Sequence, residues 1–211
     1  MSNLAIHNAH TVVQRLAPDE NALYAVAEPH AGYFTTADAA KAGYSRALLA
    51  HHNRAGMLER VDHGIYRLRR FPETPHADLV VGWLRAGTSS AISHESALGL
   101  YGLSDVLPHK VHVTTPRTAS RRRTGLRLHT SPLPNKDVAV FEGMRVTTVE
   151  RTIADVSRAG LAEELVLQTI DEALARGLTT PARLAEMAAV RGGRAKRLIE
   201  RALAEGDREL A

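Results

Sequence analysis

Two short helical patterns broken by a glycine, then a basic hairpin, occupy Thr36 to Arg70 and limit this chain's fold more than any other stretch. The run TTADAAKAG opens on hydroxyls and stops at Gly43, YSRALLAHHNRAG opens at Ser45 and stops at Gly56, and MLERVDHGIYRLRR follows. Hydroxyl side chains accept from the free amides of a first helical turn, and glycine takes the left-handed conformation that ends a helix. A glycine closing the Asp62–His63–Gly64 turn between β-prone runs signals a hairpin. Helix, turn, helix and hairpin in that order predict a winged helix-turn-helix, which offers one helix and one hairpin to double-stranded DNA.

The domain is expected over residues 19–70, after a leader at 1–18. Asp19 caps a first helix to Pro29 with Leu23, Val26 and Ala27 inward, Thr36 caps the second, and Ser45 caps the third. In that third helix Leu48, Leu49, His52 and Ala55 form the inward side, which leaves Arg46, Ala50, His51 and Arg54 outward. Arg46, in the first turn, is the main candidate for a base or phosphate contact, with His51 and Arg54 behind it. On the hairpin, Arg60, Arg67 and Arg69, with His63 at the turn, are candidates for phosphate or minor-groove contact. A solvated edge strand protected by charge would carry the same arginines. The charge distribution favours DNA: the net charge is only +4, but residues 41–70 hold seven Lys or Arg against Glu59 and Asp62.

A stiff junction at residues 71–75, FPETP, leads into a second domain at 76–211. Its pattern predicts helices at Ala77–Arg85 and, capped by Ser93, at His94–Leu100. Strands follow at Val111–Thr115, Leu126–His129 and around Arg145–Thr147, then helices at Val149–Arg158, Ala162–Arg176, Pro181–Val190 and Ala195–Glu205. That is an α/β or α+β domain, a small mixed sheet with flanking helices. Between the first two strands lies PRTASRRRTG, and residues 109–127 carry six Lys or Arg and no acid. Arg117, Arg121, Arg122 and Arg123 are candidates for a phosphate backbone, or else for an acidic protein partner.

Catalysis finds little support in the chain. It has no cysteine, so disulfides, thiolate metal sites and cysteine nucleophiles are excluded. His94–Glu95, His109, His112, Asp155 and Asp171 fall into no metal-ligand spacing, and no phosphate loop or nucleophile elbow is present. Arg151, Thr152 and Asp155 suit a local salt-bridge network better than chemistry. No catalytic, cofactor-binding or metal-binding residue is expected, and no enzyme activity. Without a signal sequence or an apolar run of bilayer length, the expected location is the cytoplasm.

Several segments together resemble a known family. They are Gly43–Tyr44–Ser45–Arg46, Gly56–x–Leu58–x–Arg60–Val61 leading to Gly64–Ile65–Tyr66, Ile92–Ser93–His94–Glu95–Ser96–Ala97–Leu98, Val111–His112–Val113–Thr114, and Val146 to Asp155. Their order and spacing are similar to those of AbiEi-type antitoxin transcriptional regulators of type IV toxin–antitoxin systems, from Asp19 to about residue 180. The resemblance implies a winged helix that binds inverted repeats in its own promoter and represses the operon. It also implies a C-terminal domain that acts against a nucleotidyltransferase-like toxin, without need of a stable complex. Some longer relatives carry a nuclease-like region after the segment corresponding to Asp171; its carboxylates are not found here, and no nuclease activity is expected.

Overall fold

Capping geometry organises the N-terminal helices. In the computed structural model, which describes residues 17–104, 108–117 and 123–209 (side chains to 206), Asp19 accepts from the Ala22 amide and opens α1 (Glu20–Ala27). The expected leader lies almost wholly outside the described residues. A short strand, β1 (Tyr33–Thr35), precedes α2 (Thr36–Lys41). The cap of α2 is Thr35 rather than Thr36. Its hydroxyl takes the Asp38 amide, and the Asp38 carboxylate takes the Thr35 amide at 3.2 Å, a reciprocal box that satisfies two free donors. Ser45 caps α3 (Arg46–Arg54) as expected, accepting from Leu48 at 3.2 Å.

The hairpin is β2 (Leu58–Asp62) and β3 (Ile65–Leu68), antiparallel, with a bulge between Arg60 and Asp62. β1 pairs with the other edge of β3, so the three strands run β1-β3-β2 and β3 is central. Alternation then splits the sheet into two faces. Phe34, Tyr66 and Leu68 pack with Leu23, Ala39 and Leu49 beneath the three helices. Tyr33 and Ile65 face the other way and join a second core with Val80, Trp83, Ile92 and Met144. The wing sheet is therefore covered on both faces, the second time by the C-terminal half of the chain.

That half begins with α4 (Ala77–Ala86) and builds a five-stranded mixed sheet. Its strands are β4 (Ala91–Ile92), β5 (Val111–Thr115), β6 (Leu126–Thr130), β7 (Val138–Phe141) and β8 (Met144–Thr147), in the order β6-β5-β4-β8-β7. β5 and β6 run parallel, as do β4 and β8, while β4–β5 and β7–β8 are antiparallel. α5 (His94–Leu100) packs on β5. Ser93 precedes it but accepts no cap amide; its oxygen is taken by Thr114 Oγ1 at 2.8 Å. A third core, with Ile153, Ile170, Leu184 and Ile199, joins α6 (Val149–Ala159), α7 (Glu163–Ala175), α8 (Pro181–Arg191) and α9 (Gly193–Glu209). The helix-flanked mixed sheet agrees with the sequence reading.

Arg151 is the largest fully buried side chain described, 1% exposed. It donates Nε to Asp155 at 2.8 Å, Nη1 to Asp137 at 2.7 Å and Nη2 to Ser131 at 2.9 Å, while Arg191 reaches the other Asp155 oxygen at 2.7 Å. The expected salt-bridge network is present, and it ties α6 to the approach to β7 and to α8.

Candidate nucleic-acid interface

A recognition helix needs an inward stripe to anchor it and an outward face free of partners. In α3, Leu49 is buried and Leu48 and His52 are half-buried, while Arg46, Ala50, His51 and Arg54 are exposed. Ala55, expected inward, is exposed at the helix end. Asn53 joins the helix to the wing by accepting the Arg60 amide at 2.9 Å. That hydrogen bond fixes the outward face of α3 beside β2.

The wing's arginines differ in what they hold. Arg60 is exposed, and its Nη2 lies 3.5 Å from His63 Nδ1 at the exposed turn. Arg69 is exposed as well. Arg67 is not: it is 6% exposed, donates Nη2 to the Phe71 carbonyl at 2.7 Å and sits 3.8 Å from Glu59. Its guanidinium also lies over the Tyr33 ring, 5.7 Å from the centroid. The expectation of a DNA contact at Arg67 is corrected accordingly. On the central strand of a sheet covered on both faces, its side chain points into the junction between the two halves. Arg70, likewise, pairs with Glu20 at 3.0 Å. Among the described residues, Arg46, Arg54, Arg60 and Arg69 make no ion pair, so their charge stays available to an external polyanion.

One residue that sequence reasoning passed over links the wing to the basic segment. Arg85, in the last turn of α4, pairs Nε with Asp62 at the wing turn at 3.1 Å and donates Nη1 to the Thr124 carbonyl at 3.0 Å. A lone Arg at a helix C-terminus reads as a dipole partner, and nothing in the sequence points to either contact. Because β5 and β6 are parallel, the segment leaves β5 at one end of the sheet and enters β6 at the other. Arg117 is exposed where it leaves, and Arg123 is half-buried where it returns. Arg121 and Arg122 lie outside the described residues. No helix among the described residues is long and apolar enough to cross a membrane.

Comparison with known proteins places both halves of the chain in one family. Residues 21–69 match the family described as "Transcriptional regulator, AbiEi antitoxin", and residues 89–204 match the "AbiEi antitoxin C-terminal domain". The fold is similar to the crystal structure of the RV2827C protein from Mycobacterium tuberculosis, with a TM-score of 0.54 at 15% identity over 87% of this chain and 75% of that one. At that identity the likeness is one of fold. No curated protein matches the sequence.

Proposed function

The chain belongs to the AbiEi antitoxin family, whose role is DNA-binding and antitoxin regulation rather than catalysis, and from that membership we propose that it represses its own operon. In this reading α3 enters the major groove of each half of an inverted repeat, with Arg46, His51 and Arg54 facing the bases and phosphates. Arg60, His63 and Arg69 on the wing hold the flanking backbone. Arg117, Arg121, Arg122 and Arg123 extend the contact along the same duplex.

The observation that carries this reading furthest is Arg85. One guanidinium touches both the wing turn and Thr124, where the basic segment returns to β6, so that end of the segment stands beside the wing turn. A mobility-shift assay on the chain's own promoter, with competitor DNA, tests the claim. Selective retention of the promoter is the expected result. Equal affinity for scrambled duplex overturns sequence specificity, and absence of any DNA binding together with recovery of an acidic protein partner overturns DNA binding altogether.

The antitoxin role is assigned to the C-terminal half, against a nucleotidyltransferase-like toxin. Co-expression tests it: Arg46→Ala should still relieve toxicity while losing repression. Loss of both activities in this exposed, fold-neutral variant would show that neutralisation acts through the operator.

A further inference from the structure

Three histidines from three separate elements meet beside the five-stranded sheet. His94 opens α5, His112 lies in β5 and His129 in β6. The parallel register sets Thr114 opposite His129, and His112 is two residues from Thr114, so both imidazoles leave the sheet on the face that α5 covers. Each of the three rings offers a nitrogen, and these nitrogens lie within 4.8 Å of one another. The His94 and His129 rings stack with centroids 3.5 Å apart, and the His112 ring lies 5.2 Å from His129.

The remaining ring nitrogens are oriented from outside the cluster. His112 Nδ1 lies 2.5 Å from Glu95 Oε2 in a close ion-pair contact that is not aligned as a hydrogen bond, and His94 Nδ1 lies 3.0 Å from Ser93 Oγ. A proton held on Nδ1 by an oxygen acceptor leaves Nε2 with its lone pair, which is how metal-binding histidines are commonly fixed. Ser93 has two lone pairs, enough to accept from both His94 and Thr114. His129 Nε2 is shut from solvent and has no hydrogen-bond partner among the described residues. Native structures rarely leave a buried polar atom unmatched without a reason. His94 itself holds φ at +53°, a left-handed conformation uncommon for a residue with a Cβ and concentrated at functional sites.

We propose that His94, His112 and His129 bind a divalent transition-metal ion of the zinc type, with Glu95 and Ser93 orienting two of the three imidazoles. Imidazole suits Zn²⁺, and three protein ligands leave a fourth position for water. Tetrahedral Zn–N bonds place ligand nitrogens about 3.4 Å apart, so the rings close in and the stacked pair swings open as the ion enters. The bound ion would clamp α5 to β5 and β6, on either side of the basic segment.

The test uses the full chain stripped with a chelator and titrated with Zn²⁺ alone by calorimetry, and with Co²⁺ by visible absorption. One ion per chain, a four-coordinate cobalt spectrum and a raised thermal midpoint are expected. His129→Gln should weaken binding at least 100-fold, and Glu95→Gln, which keeps all three imidazoles, about 10–100-fold. His109→Ala, at an exposed histidine outside the cluster, should bind as the parent does. If His129→Gln does not fold with chelator present, Glu95→Gln decides alone. No binding, unchanged affinity in the deciding variant, or an equal loss in His109→Ala overturns the site and assigns any uptake to scattered surface histidines.

Discussion

Single guanidinium groups in this molecule divide sharply by what they touch. Arg60 faces solvent, whereas Arg67 is held by Phe71, Glu59 and the Tyr33 ring. Arg60→Ala should therefore leave the thermal midpoint unchanged, weaken specific and random duplex alike, and lower the salt slope by about one. Arg67→Ala should do the reverse, lowering the midpoint with little change in salt slope; equal salt slopes in the two variants would refute the division. Arg46→Ala should reduce discrimination by about 1–3 kcal/mol, read as the ratio of specific to non-specific affinity. An unchanged ratio would make Arg46 a phosphate contact. Arg151 has a purely internal role. Removing it leaves the Asp137 carboxylate buried without its cation, so Arg151→Ala should cost about 3–5 kcal/mol in urea denaturation. A loss below about 1 kcal/mol would show that the carboxylates have other support.

Among the elements, those with a cap, a period and a stop were legible in the sequence. α1, α3 and α8 begin at Asp19, Ser45 and Thr180, as their side chains indicate. β1 and β4, with three and two residues, are too short for any period, and only their non-local partners define them. Missing β1 had a cost: without it β3 reads as an edge, and an edge arginine reads as exposed. The outward face of α3 was legible because helical periodicity is local. The histidine cluster was not, because its members come together only once β5 and β6 pair in register. The basic segment was visible as charge, but its neighbour, the wing turn, was not. Replacing Arg121, Arg122 and Arg123 by Ala should shorten the DNA footprint at one edge, and Arg85→Ala should give part of the same shortening with the core still protected. An unchanged footprint and salt slope would assign the segment to a protein partner or to solvent.

At the scale of the whole molecule, the two halves share a core. Tyr33 and Ile65 of the wing sheet pack with Trp83 of α4, and Asp62 of the wing pairs with Arg85 of α4 at 3.1 Å across the same seam. Gly143 closes it: φ is +75°, and a Cβ there would collide with the Pro29 carbonyl. The chain should therefore unfold in one transition, with Trp83 fluorescence and far-ultraviolet circular dichroism superimposing. Gly143→Ala should lower stability by about 2 kcal/mol or more and separate the two signals. Two resolved transitions in the parent would instead make the halves independent. A sheet gripped on both faces also leaves no swivel between the part that grips DNA and the part that projects from it. On the inverted repeat proposed above, two bound copies would then be phased like teeth on meshed gears. Inserting about 5 bp, half a helical turn, between the half-sites would rotate one copy's C-terminal half to the far side of the duplex, and the next half-turn would bring it back.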